Sequence, residues 1–521
     1  MSHNTTPQNP RRRQLLQFAA LGSLAGTCPP LLAQAARKPL LIVSSWEISG
    51  LSPSASGYIF TRLQVAETLF NALDDGTPQP GLATRWEVSA DGLVWQIALR
   101  PGARFHDGSA VTAQAAARCL DAARTPPALL SKAPIAGIKA VGDKQLEIRL
   151  SRPDATLPSL LAHSSTLILA PASFGPDGAV RQIIGSGPYR ITQLQAPQQV
   201  DTAIFTDFDG PRPQIEQVRY MAAGRAEART LMAESGQADL AYNLDPPSVA
   251  RLRSRPGVRL DAVTLPRTVV INLNAGLPAL RDVRVRQALS CALDRPGIAR
   301  ALLRDPELAA TQLMPPSLTA WHDKTLSPLH QDKAEVTRLM QAAGWSKSPE
   351  GWRNAKGDLL RLSLRTFPDR PELPVLAAAL QAQWREAGFA VEVKIGNSGD
   401  IPLAQRDGTL ELGLCARNYA TVPDPVGTLL QDFANGGGDW GAMNWPHPEL
   451  SAALTALTRD KLTPARAAEL RRQVLRTLQA ELPVIPVCWY RQQVAVSRRI
   501  DGVSLDPLER SFRLTGLRWK A

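Results

Sequence analysis

Apolar and polar residues alternate at every second position in two early segments. In 94–100, Trp95, Ile97 and Leu99 interleave with Val94, Gln96, Ala98 and Arg100; in 146–150, Leu146, Ile148 and Leu150 interleave with Glu147 and Arg149. A period of two puts one set of side chains on one face of an extended chain, so both segments are predicted to be half-buried strands. Further on the period changes. From Leu376 to Glu386 the spacing is helical, Gly388 suits the left-handed position after a helix, and Val391, Val393 and Ile395 return to period two. That is a helix-to-strand unit. Near the end, Thr463 caps and Pro464 opens a helix whose Leu470, Val474 and Leu478 repeat every fourth residue, and Pro483 stops it. Strands and helices mixed in this way predict an α/β architecture, and no repeat recurs at a fixed period of about 20–50 residues.

Length and composition narrow the class. The 521 residues exceed a typical single domain several-fold, which predicts two or more packed lobes. A hydrophobic content of 44% against 20% charged residues excludes a disordered chain, and 43 prolines with 36 glycines spread along the length exclude a coiled coil and predict many loops. The net charge of +12 comes from scattered basic residues rather than clusters, so the chain has no phosphate-tracking surface and nucleic acid is not an expected partner.

Part of that charge lies at the N-terminus. Arg11, Arg12 and Arg13 precede Gln14-Leu15-Leu16 and the small, apolar run from Phe18 to Gly26. This pattern resembles a twin-arginine export signal over residues 1–35, with Ala33-Gln34-Ala35 as a small-x-small cleavage site. The apolar run is too short to span roughly 30 Å of hydrocarbon, and no later stretch of about 18 apolar residues follows. The expected product is a soluble, exported, periplasmic protein. Thr27 stands where a lipid-attachment site wants a very small residue, which disfavours acylation of Cys28. The later cysteines, Cys119, Cys291, Cys415 and Cys488, lie far apart in apolar surroundings and read as buried thiols.

The usual catalytic signatures are missing. The chain has no GxSxG elbow and no GxxxxGK[ST] phosphate loop, and its histidines show neither HExxH nor HxH spacing. No catalytic residue, cofactor or resident metal site is expected.

A linked set of segments does stand out. Residues 80–92 (PGLATRWEVSADG), 99–108 (LRPGARFHDG) and Val111-Thr112-Ala113 are followed by Gly185-Ser186-Gly187-Pro188-Tyr189, Gly236-Gln237-Ala238-Asp239-Leu240, Asn272-Leu273-Asn274 and residues 283–289 (VRVRQAL). Ala342-Ala343-Gly344-Trp345, Gly388-Phe389 and Pro423-Asp424-Pro425 complete the set. In this order they resemble the peptide/nickel-binding family of ABC-importer solute receptors, over nearly all of the chain after the signal.

That resemblance implies a two-lobed α/β periplasmic binding protein with two chain crossings at the hinge. Lobe I would comprise 36–62, 171–265 and 483–521, with 63–170 as an extra subdomain, and lobe II would comprise 266–482. The expected ligand-contacting residues are Trp46, Tyr58, Arg417, Tyr419, Thr421, Asp424, Trp440 and Trp489. Peptide receptors of the family commonly place an aspartate three residues before the acid of the Asp-Pro pair, where it receives the peptide ammonium. Here that position is Thr421, and a neutral hydroxyl cannot replace the charge-assisted bond. Arg417 and Tyr419 before the pair resemble the nickel-binding branch. The implied ligand is therefore a metal chelate, an opine-like compound or a short peptide, with a lean toward the chelate. The implied partners are an inner-membrane ABC permease and its ATPase, and a monomer is expected. Arg417 also has nearby acids, Asp424 and Asp432, with which it could shape the loop. Turn chemistry is the expected role of His106-Asp107-Gly108, and a solvated helix face that of Arg284, Arg286 and Gln287.

Overall fold

The structure is a computed structural model that describes residues 38–520 apart from Pro127, Asp369 and Asp439; the expected export signal and Cys28 lie outside the described residues. Residues from Pro39 onward form one compact unit. Its backbone is a ten-stranded mixed sheet made of β1 (Leu40–Ser44), β2 (Tyr189–Gln195), β3 (Gln199–Ile204), β4 (Gln217–Ala222), β5 (Leu240–Ala241), β6 (Val258–Leu273), β7 (Arg361–Thr366), β8 (Ala390–Ile395), β9 (Leu412–Asn418) and β10 (Val484–Ser497). Their spatial order is β8-β7-β9-β6-β10-β5-β1-β4-β3-β2.

Two of these strands are far longer than the rest. β6 and β10 pair antiparallel at the middle of the sheet, and each runs from one hydrophobic core into another. At one end Val269, Ile271, Ile485 and Val487 join a core built on Leu289, Trp321, Leu376, Trp384 and Leu454. At the other end Val494 and Val496 join a core built on Ile42, Phe60, Ile97, Leu146 and Tyr220. Two cores joined by two crossing strands make a two-lobed fold with its hinge at the crossing. The hinge strands are irregular. Leu265 pairs with Tyr490 but Thr268 pairs with Trp489, so Pro266 and Arg267 bulge out of the ladder, where proline has no N–H to offer.

The patterned segments fold as their periods predict. Ala83–Val88, Val94–Leu99, Gln145–Leu150 and Ile135–Val141 form, in that spatial order, a four-stranded antiparallel sheet in which Trp95, Ile97, Leu99, Leu146, Ile148 and Leu150 are buried. The helix Glu372–Glu386 buries Leu373, Leu376, Leu380 and Trp384, Gly388 adopts φ +89°, and β8 follows. Thr463 accepts from the N–H of Arg466 and caps the helix Pro464–Glu481.

The signature segments prove to be joints. Arg100 donates Nη2 to Glu67 Oε2 (3.0 Å) and Nε to Asp209 Oδ2 (2.6 Å), tying the four-stranded sheet to the wall beneath it. Gly185 and Gly187 lie so close to the chain at 64–66 that a Cβ would stand 2.1 Å from the carbonyl oxygens of Val65 and Gln64 respectively; no other residue fits. His106 faces the Gly187 carbonyl through Nε2 (3.0 Å), and burial holds its ring pKa down near about 4, so it is neutral. Asp107 accepts from the N–H and hydroxyl of Ser109, and Gly108 takes φ +85°, a turn as expected. One expectation fails. Arg284 is exposed, but Arg286 is 2% exposed and donates to the carbonyls of Leu280 (2.9 Å) and Glu481 (2.8 Å) and to the Glu481 carboxylate (3.0 Å). Its helix packs that side against the end of Pro464–Glu481, a long-range contact that charge patterning does not reveal.

Candidate functional site

The bulge at the hinge gathers a set of side chains from four parts of the chain. Arg62, on the last turn of the helix Pro53–Arg62, lies over the Trp46 ring, its guanidinium carbon 3.6 Å from the centroid, with the Tyr58 ring at 5.3 Å. Its Nε donates to the carbonyl of Glu509 (2.6 Å). Nη1 is buried and has no acceptor among the described residues. Burial lowers the Arg62 pKa from its ordinary value, with Glu509 opposing that shift. Arg267, carried by the bulge, donates Nη2 to Glu509 Oε2 (3.1 Å) and lies over the Tyr490 ring at 5.1 Å; its Nε is likewise buried without an acceptor. Gln492 donates to Glu509 Oε1 (3.2 Å) and to Asn243 Oδ1 (3.0 Å). Glu509 itself takes φ +55°, an uncommon conformation for a non-glycine residue, held by these contacts. A space of about 10 Å³ is lined by Trp46, Arg62, Tyr242, Gln492, Asp506 and Glu509 among others. That is room for one oxygen atom, a water's or a carboxylate's, facing a buried cation.

The end of β9 and the loop after it carry four more of the expected residues. Arg417 donates Nε and Nη2 to the two carboxylate oxygens of Asp432 (2.6 and 2.7 Å), a bidentate pair in which Asp432 is 1% exposed. Burial outweighs the pairing and pushes the Asp432 carboxyl above its ordinary range. Tyr419 is fully buried, with its hydroxyl unpartnered and its pKa raised well above the ordinary value by burial. Thr421 is exposed. Asp424 Oδ1 accepts from Trp321 Nε1 (3.1 Å) and from the N–H of Val426 (2.9 Å), which fixes the start of the helix Val426–Phe433.

The structure thus separates the expected residues. Trp46 and Tyr58 meet at the hinge. Arg417 stands near the end of β9 and Tyr419, Thr421 and Asp424 in the loop after it, and Arg417 and Asp424 are engaged in holding this region together. Trp440 packs edge-to-face on Phe367, with ring centroids 6.4 Å apart. Trp489 is 6% exposed and donates Nε1 to the Gln312 carbonyl (3.2 Å), which makes it a core residue. Arg62, Arg267, Tyr490, Gln492 and Glu509 were not singled out in the sequence, and no local signal marks them: the bond between Arg62 and Glu509 spans 447 positions. A larger cavity of about 320 Å³ lies at the carboxyl ends of β7 and β8, lined by Arg365, Lys394, Ile395, Asp400 and Leu403 among others. None of the expected residues lines it, and Ile395 and Leu403 are exposed, so the hinge carries the stronger case for chemistry. All four described cysteines are free thiols, and among the described residues no three His, Cys, Asp or Glu side chains are placed to hold a metal ion.

A two-lobed α/β fold with charged and aromatic groups at the hinge defines a solute receptor. The chain belongs to the bacterial extracellular solute-binding proteins, family 5, whose middle region matches residues 77–440. It is a solute-binding protein of the peptide- and nickel-type ABC importers and not an enzyme. It is 23% identical over 523 residues to the dipeptide-binding protein of Escherichia coli K12, covering 90% of this chain and 93% of that one. It is 24% identical over 503 residues to the nickel-binding periplasmic protein of the same organism, covering 92% and 95%. The crystal structure of NikA from Brucella suis in complex with Fe(III)-EDTA superposes with a TM-score of 0.82 at 21% identity, covering 93% of this chain and all of that one, and so shares the fold. The family is extracellular or periplasmic, and no helix among the described residues is long and apolar enough to cross a membrane.

Proposed function

We propose that the chain captures a small carboxylate-bearing solute between its lobes, a metal chelate or opine-like compound in preference to a free peptide, and hands it to a membrane permease as a monomer. The observation that carries this reading is the Arg62–Trp46 stack: a buried, permanently charged fork, one donor of which lacks an acceptor among the described residues, lines a space of about 10 Å³. A guanidinium suits a carboxylate, and a charged hydrogen bond at a desolvated site contributes on the order of 1.5–3 kcal/mol. Any metal would arrive with ligands of its own, inside a chelate. Thr421 offers no carboxylate to an ammonium. The solute touches both lobes, so it binds the closed state better than the open one and shifts the population toward closure.

Calorimetry with nickel–histidine complexes, opine-like chelates and di- and tripeptides tests this. The reading expects a chelate or opine-like acid to bind most tightly and Thr421→Asp to gain affinity for peptides. Tight peptide binding by the unaltered chain, indifferent to Thr421→Asp, supports the second reading, an ordinary di- or oligopeptide receptor, which the relationship to the dipeptide-binding protein favours. For export we propose the twin-arginine route. Replacing Arg12 and Arg13 by lysine then leaves precursor in the cytoplasm, and an unchanged periplasmic yield contradicts that route.

A further inference from the structure

Far from the hinge in sequence, a short hairpin bridges the two lobes. Phe70–Ala72 and Pro78–Pro80 pair antiparallel, and the tip between them is closed by the N–H of Leu73 donating to the Thr77 carbonyl (2.9 Å) and that of Gly76 donating to the Leu73 carbonyl (3.0 Å). Phe70 is part of the core that holds Ile42 and Tyr220. The tip rests on the other lobe. Gly76 is buried at φ +89°, and a Cβ there would stand 2.2 Å from the Pro423 carbonyl oxygen. Pro423 lies between Thr421 and Asp424 and leads into a helix whose Val426, Leu429 and Phe433 belong to the opposite core. Beside this contact Asp75 Oδ2 lies 3.5 Å from the Thr319 hydroxyl, two residues before the Trp321 that holds Asp424.

The base of the tip is gripped from the hinge side. Arg510 donates Nη1 to Asn71 Oδ1 (2.6 Å) and Nη2 to the Ala72 carbonyl (2.6 Å), and Arg513 pairs with Asp74. The same C-terminal segment carries Glu509, on which Arg62 and Arg267 converge. One run of residues therefore holds both the hinge cations and the hairpin that meets the loop of Thr421 and Asp424.

We infer that Gly76 is a positioning residue for solute capture: it lets the hairpin tip seat on Pro423 when the lobes close, clamping the Thr421–Asp424 loop over the hinge. The inference rests on the closing receptor proposed above. Two features single out glycine at this position. The φ of +89° suits it, and a carbonyl oxygen at 2.2 Å is backbone, which cannot swing aside as a side chain can. Strain at φ is present whether or not the tip is seated, whereas the clash with Pro423 arises only where the tip meets it. A side chain at 76 thus acts against the closed state specifically.

The test uses the full chain and needs no solute. Asp75→Cys with Thr319→Cys places one thiol on each side of the contact, and a short bis-maleimide reports how often the tip is seated. Gly76→Asn is then added, since asparagine tolerates a positive φ while still carrying a Cβ. The expected result is a fall of at least tenfold in the rate of the 75–319 cross-link with the thermal midpoint little changed, and no such cross-link in a chain carrying only one of the two replacements. Equal rates with glycine and asparagine at 76 overturn the inference. Since no ligand is involved, that outcome leaves the solute-binding reading standing, and a failed ligand screen leaves the latch standing.

Discussion

Asp432→Ala is expected to lower the unfolding free energy by about 3–5 kcal/mol, because it leaves the Arg417 guanidinium largely buried without its counter-charge. Arg417→Ala is expected to cost a similar amount, for it strands a carboxylate that is 1% exposed. Because the two deletions remove one shared interaction, the double replacement is expected to cost less than their sum, by about 0.5–3 kcal/mol. Urea unfolding at pH 7 of the three variants gives the cycle. This pair fixes the end of β9 against the helix Val426–Phe433, and it presents Thr421 between them. A loss below about 1 kcal/mol for Asp432→Ala, in the range of exposed pairs, shows instead that Arg417 is free to serve a ligand.

The second large effect falls on binding. Arg62→Gln keeps a planar, hydrogen-bonding end but removes the charge and the stack on Trp46. Affinity for the best acid of the calorimetric panel is expected to drop roughly ten- to hundredfold, the equivalent of one charged hydrogen bond. Arg62→Lys keeps the charge but not the fork, so it is expected to recover only part of the loss. The control is Arg284→Gln, which removes an exposed arginine paired with Asp282 on another helix and is expected to leave affinity unchanged. An Arg62→Gln chain that binds like the parent removes the hinge cation from the site.

These two arginines also show where reading the chain succeeds and where it stops. The period-two strands at 94–100 and 146–150, the helix-to-strand unit ending at Ile395 and the capped helix after Thr463 were legible because each buries one face of a local element. His106-Asp107-Gly108 was legible as a turn because its chemistry is local. Arg417 was legible only as a candidate: its spacing fits a ligand clamp and a loop brace equally well, and the structure pairs it with Asp432, fifteen residues on. Arg62 was not legible at all. At the end of an ordinary amphipathic helix it looks like any solvated cation, and its burial depends on Trp46 before it and Glu509 near the other end of the chain. Arg286 repeats the lesson, since its acceptors at 481 belong to a helix nearly two hundred residues away. Trp489, aromatic, close to the hinge and expected at the ligand, packs in a small core with Ala309 and Ala310, a long-range contact that its neighbours in sequence do not reveal.

The most direct measurement is native mass spectrometry of the chain purified from its native host, followed by release and identification of whatever it carries. The account predicts one small carboxylate-bearing solute per chain, a metal chelate or opine-like acid, lost on Arg62→Gln. A mixture of short peptides held equally by the parent and the Arg62→Gln chain contradicts it.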